Sequence, residues 1–139
     1  DRLASAGLIR ELPQQGPPRR GQPRRFAVAD TGRALLVEWI GEDDEPEPMR
    51  SSLAVRVRAA AATGRVDDLR RALGYHRRQR VENLRRYREI EEQDFADRDP
   101  VEVRGALQHQ VLKLGIQAEQ AWVGWCDETL DLLDRLSRP

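Results

Sequence analysis

The stretch from Pro13 to Pro23 (PQQGPPRRGQP) constrains this chain more than any other. Prolines at 13, 17, 18 and 23 remove backbone donors and fix φ, so neither a helix nor a continuous strand ladder can pass through it. Gly16 and Gly21 permit tight turns within it. Leu8-Ile9-Arg10-Glu11-Leu12 before it and Arg24-Arg25-Phe26-Ala27-Val28 after it both read as strands, the second returning on the first. Asp1 to Ala6 has helical composition and stops at Gly7, and Asp30 to Ile40 reads as a helix with Asp30 or Thr31 available as its cap. The expected order is therefore helix end, strand, turn, strand, helix.

The turn is basic as well as stiff. Arg19, Arg20, Arg24 and Arg25 bracket it, with Gln22 between them. A rigid excursion bearing guanidinium groups suits contact with phosphates or entry into a minor groove. The alternative is a solvated hairpin tip whose arginines keep a strand edge soluble. Spacing alone leaves both open.

Zero net charge conceals strong blocks. Residues 1–41 hold seven arginines and four acids, 42–48 five acids and no base, 49–88 twelve arginines and three acids, and 89–102 seven acids against Arg98. Such blocks set local fields that the total hides. The acidic, proline-punctuated run Glu42 to Pro48 reads as a linker. The expected organisation is thus residues 1–41, an acidic linker at 42–49, and a helical domain at 50–139. The fold class is mostly α with a two-stranded β wing.

The last ninety residues read as helices. Arg50 to Thr63 is Ala-rich, carries Leu53, Val55 and Val57, and ends at Gly64. Val66 to Glu92 opens with Asp67 and Asp68, where the helix dipole favours acids. Its many Arg and Glu side chains are expected to form a solvated face, and Gln93 to Asp99 is expected to turn the chain. A long final helix follows. Leu107, Val111, Leu114, Ala118, Ala121 and Trp125 step by four and three, a seam of about 3.5 residues per turn. After one slip the pattern resumes at Thr129, Leu132 and Leu136. A helix near forty residues would run about 55 Å, too long to bury its seam on two short neighbours. A second copy of the chain is the expected partner. Gly105, Gly115 and Gly124 imply close backbone approach or else a kink.

Several classes are excluded or disfavoured. No apolar run is long enough to span a bilayer, and the N-terminus has no signal-peptide character. The single cysteine, Cys126, fits a reducing compartment, and a cytoplasmic location is expected. His76, His109 and Cys126 have no metal-ligand spacing, no glycine-rich phosphate loop is present, and the acids sit in solvated runs. No enzyme activity, metal or cofactor is expected.

Two stretches resemble a known family. Leu3-Ala4-Ser5-Ala6-Gly7-Leu8-Ile9, the Arg-rich turn, and Arg25-Phe26-Ala27-Val28-Ala29-Asp30-Thr31-Gly32-Arg33-Ala34-Leu35 together resemble the PadR family of bacterial transcription regulators. The tail resembles that family's C-terminal domain of the virulence-activator-alpha type. There the carrying residues are the Met49–Ala62 and Leu69–Glu92 stretches, Leu112-Lys113-Leu114-Gly115-Ile116, and Trp122 to Trp125. The resemblance implies a homodimeric winged helix-turn-helix regulator, a repressor or an activator with repression the expected output, and double-stranded DNA as partner. It makes Arg19, Arg20, Gln22, Arg24 and Arg25 the DNA-binding set. It places Leu107, Val111, Leu114, Ala118, Ala121, Trp125, Leu132 and Leu136 at the subunit interface. Some family members sense aromatic small molecules, which makes Trp122 and Trp125 candidate effector contacts, though filling the core is the commoner role for such residues. Tyr75 and His76 are expected at the surface or in packing. Ala29 stands where the family has a capping Thr, and the chain begins inside the expected recognition helix. The competing reading is a helical dimerisation or partner-docking module that does not bind DNA.

Overall fold

The computed structural model describes residues 2–13, 23–96 and 102–137. The chain divides into two compact units, residues 1–48 and 49–139.

The first unit is built on a hairpin. Helix α1 (Arg2–Ser5) ends at Gly7, whose φ of 69° is the left-handed conformation that glycine adopts without strain. The reversal lets the Leu8 N–H donate to the Leu3 carbonyl at 3.0 Å. Strand β1 (Ile9–Glu11) then pairs antiparallel with β2 (Phe26–Val28), with Ile9 opposite Val28 and Glu11 opposite Phe26. Both strands are shorter than the sequence suggests, although the Leu12 N–H still donates to the Arg25 carbonyl at 2.8 Å. Most of the proline-rich turn lies outside the described residues.

Helix α2 (Asp30–Ile40) has the expected bounds but not the expected cap. Its N-cap is Ala29, which offers no side-chain acceptor. Thr31 lies inside the first turn, and its hydroxyl donates to the Gly7 carbonyl at 2.6 Å. This bond and the one from the Ala29 N–H to the Leu8 carbonyl (2.9 Å) tie the helix start to the hairpin entrance. Gly32 makes that closeness possible. It is buried, and a Cβ placed there would sit 2.1 Å from the Leu8 carbonyl oxygen.

The second unit is a three-helix arrangement at one end and a two-helix hairpin at the other. Helix α3 (Ser52–Thr63) starts with the Ser51 hydroxyl accepting from the Ala54 N–H and stops at Gly64, again left-handed with φ 69°. Helix α4 (Val66–Phe95) runs three residues further than expected, and α5 (Val103–Leu136) is unbroken over 34 residues, about 51 Å. The core joins Leu53 and Ala60 of α3 to Leu69 and Leu73 of α4 and to Cys126 and Leu133 of α5. Leu73 and Cys126 are fully enclosed. The apolar cluster therefore sits where α3 covers the start of α4 and the end of α5. Val57, one turn on from Leu53, packs against the cluster, whereas Val55 lies on the opposite side of α3 and faces out.

At Gly115 the open alternatives resolve to close approach, because a Cβ there would meet the Tyr87 ring at 3.2 Å. Nothing lies within 4 Å of a Cβ at Gly124.

Gly32→Ala is expected to destabilise the first unit by about 2–3 kcal/mol, because a backbone oxygen cannot step aside as a side chain can. Amide exchange at Leu12 and Ala29 reads this directly. Unchanged protection at both would contradict the close approach.

Candidate functional site

In the hairpin, the sequence-predicted DNA set divides. Arg19, Arg20 and Gln22 lie outside the described residues. Arg25 is exposed at the base of β2. Arg24 is tied in place: its Nε donates to Glu11 Oε1 at 2.9 Å, a second guanidinium nitrogen meets the other carboxylate oxygen, and its carbon lies 5.1 Å from the Phe26 ring centre. The bidentate fork fixes Arg24 across the hairpin, and the Arg24 guanidinium holds the Glu11 carboxyl below its ordinary value.

The helical unit carries a ladder of charge pairs where the pattern of α4 alone suggests a solvated face. Arg70 of α4 pairs with Asp134 of α5, Arg77 with Asp127, and Arg80 with Glu119. As the α4 number rises the α5 number falls, as antiparallel helices require. A signal is present in the sequence: Arg70 and Arg77 are one heptad apart, as are Asp127 and Asp134. Glu119 is the buried member, with only 6% of its surface exposed. Its Oε1 accepts from Arg80 Nη1 at 3.0 Å and from the Asn83 side-chain amide at 3.4 Å. At the far end of the hairpin His109 meets Glu91 at 2.7 Å and stacks on Phe95 with centroids 4.7 Å apart.

The seam on α5 points away from α4. Leu107, Val111 and Leu114 are 63%, 72% and 67% exposed, and Ala118, Ala121, Leu132 and Leu136 are exposed too. Trp125 is the exception, half-buried against the core and edge-on to Trp122 at 5.6 Å. Both indoles, with Met49, Ala54, Ala118 and Ala121, line an apolar cavity of about 410 Å³. Tyr75 is exposed with its ring edge on His76, and His76 lines a separate polar cleft at the start of α3. The Cys126 thiol is pushed up by burial. Among the described residues no cluster of three metal-ligating side chains occurs, and no helix is long and apolar enough to cross a membrane.

The sequence profile described as the virulence activator alpha C-terminal domain matches residues 49–134. The chain belongs to that family. The match spans the whole three-helix unit, from Met49 ahead of α3 to Asp134 near the end of α5. The probable transcriptional regulator Rv1176c of Mycobacterium tuberculosis is 38% identical over 127 residues, which cover 81% of this chain and 66% of that protein. The chain thus spans just under two thirds of that relative's length. The virulence activator AphA of Vibrio cholerae has a similar fold, with a TM-score of 0.74 at 19% identity over 98% of this chain and 74% of that one. The Bacillus subtilis PadR structure in complex with operator DNA matches with a TM-score of 0.65 at 15% identity, over 95% and 73% of the two chains. The fold of this virulence activator alpha family member is accordingly the PadR-like winged-helix type, with a helical C-terminal unit. The relatives are regulators, not enzymes.

Arg80→Ala strands a buried carboxylate and is expected to cost about 3 kcal/mol in urea unfolding, with most of that stability recovered by adding Glu119→Gln. No recovery in the double variant would contradict the pairing. For Glu11, the depressed folded value means that the Arg24 pair contributes fully above the ordinary value of 4.5 and fades as pH falls through the lower folded value. Carboxyl carbon NMR should therefore place the Glu11 midpoint below 4.5, and Arg24→Gln should raise it.

Proposed function

We propose that this chain is the wing and dimer-forming part of a PadR-like transcription regulator that binds double-stranded DNA as a homodimer. The observation that carries the reading is the antiparallel β1–β2 hairpin with its basic turn, joined in one chain to a virulence activator alpha C-terminal unit. Arg19, Arg20, Gln22 and Arg25 contact the phosphate backbone or line the minor groove. Arg24 joins them while its bond to Glu11 holds the base of the wing at a fixed twist. The wing arginines displace counterions from phosphates, so affinity is salt-dependent and carries little base specificity.

The α5 seam forms the subunit interface. Its support is physical: Leu107, Val111 and Leu114 lie on the half of the α4–α5 hairpin that α3 does not cover, where a second copy would bury them. Two wings then face a roughly palindromic operator. Repression is the simplest output, since a dimer across an operator occludes it. The apolar cavity beside Trp122 and Trp125 takes a small aromatic effector. Its size falls within the range of small-molecule sites, and the two indoles offer stacking faces.

The test is binding to a short mixed-sequence duplex across a salt series. Affinity should fall steeply with salt, and Arg19→Ala with Arg20→Ala should shrink the log–log slope by about 0.9 for each phosphate that the wing no longer neutralises. Unchanged slope and affinity in the double variant, with the fold intact, would remove the wing from the interface. That result would favour a docking module.

A further inference from the structure

A second cavity in the helical unit has the wrong chemistry for an apolar effector. It holds about 170 Å³ and opens beside the first turn of α3. Arg50, Ser51 and Ser52 line it from that side, His76 and Arg80 from α4, and Trp122 from α5. Among the described residues that line it none is acidic. We infer that this cleft binds a small oxyanion, a carboxylate or phosphate group, held between the Arg50 and Arg80 guanidinium groups.

Arg80 is the fixed half of the site. Its Nη1 donates to the buried Glu119 at 3.0 Å, and its guanidinium lies 5.2 Å from the Trp122 ring centre. A guanidinium braced by a carboxylate on one edge and an indole on its face has already given up most of its rotamer freedom. Its remaining N–H groups have no acceptor among the described residues and keep the fork geometry that matches an oxyanion. Arg50 is the mobile half, since it is exposed and makes no ion pair among the described residues. Glu119 therefore offsets one of the two cationic charges at the cleft.

The neutral donors agree. The Ser51 oxygen already accepts from the Ala54 N–H at 3.3 Å, which leaves its hydroxyl hydrogen free to donate into the cleft. The Ser52 hydroxyl and a ring nitrogen of His76 add donors in either protonation state of the imidazole. A neutral apolar molecule would leave all of these unpaired, and a cation would meet two arginines. An oxyanion satisfies both the charge and the hydrogen bonds, and the volume suits a single such group better than a polymer.

The position gives binding a consequence. Arg50 to Ser52 follow directly on the acidic linker and lead into α3, while His76, Arg80 and Trp122 belong to the α4–α5 hairpin. An oxyanion in the cleft would clamp the entrance of the helical unit onto its long helices. Trp122 also lines the apolar cavity, so the two sites share a wall.

The experiment is proton–nitrogen NMR of the whole chain at constant ionic strength, with chloride replaced stepwise by inorganic phosphate or, in a second arm, by benzoate. Saturable shifts of the Trp122 indole N–H and the Ser52 and Leu53 amides are expected, and the tighter arm identifies the phosphate or carboxylate source. Arg50→Gln removes an exposed side chain and should weaken binding at least roughly tenfold, the effect of one charge-assisted hydrogen bond. Arg80→Lys keeps a charge for Glu119 but loses the fork, and should weaken it as well. Shifts that rise linearly without saturating in both arms would overturn the site. So would equal affinity in Arg50→Gln, and neither result bears on DNA binding by the wing.

Discussion

Helix α4 has to hold a 34-residue partner with little apolar surface to offer. Only Leu69 and Leu73 along it are buried, and both lie near its start. What keeps the two helices aligned is the ladder from Arg70–Asp134 through Arg77–Asp127 to the buried Arg80–Glu119 pair, continued beyond it by the Tyr87 ring on Gly115 and the Glu91–His109 pair. Exposed ion pairs add little net stability, so most of this ladder specifies register rather than energy. The Arg80–Glu119 contact differs, because a slip of one residue would leave a buried carboxylate without its cation. Gly115 reinforces the same register by admitting the Tyr87 ring.

Register in turn decides what the long helix shows to the outside. With Ile116, Glu119, Cys126 and Leu133 turned inward, the Leu107–Val111–Leu114 stripe must turn outward. α3 covers only the end where Leu53 and Ala60 meet Leu73 and Cys126. The uncovered half is a long helical pair whose own interior is thin, and such pairs gain stability mainly by packing an apolar face. In the proposed dimer a second copy would supply that face, which is the physical link between an internal charge ladder and the proposed interface.

Much of this is legible in the residues. The prolines and glycines around the basic turn force a hairpin, and Gly64 and the Asp30–Ile40 pattern mark helix bounds that the structure keeps. The α5 seam announces itself through strict steps of three and four. The departures have identifiable causes. Thr31 has the chemistry of a cap, but tertiary contact with the Gly7 carbonyl claims its hydroxyl. Arg70, Arg77 and Arg80 read as solvated because a single helix taken alone does not display acids on another. The two cavities are less legible still. Trp122 and Trp125 can be placed on one helix face, whereas the convergence of Arg50, His76 and Arg80 depends on how three helices meet.

The outward stripe of α5 is proposed as an interface between copies of this chain. Sedimentation equilibrium on the wild-type chain and on Val111→Glu with Leu114→Glu tests it most directly, because both side chains are exposed and neither touches the charge ladder. A dimer is expected that the two carboxylates convert to a monomer with its helical circular dichroism retained. A wild-type monomer at micromolar concentration, or a dimer indifferent to both charges, would contradict it.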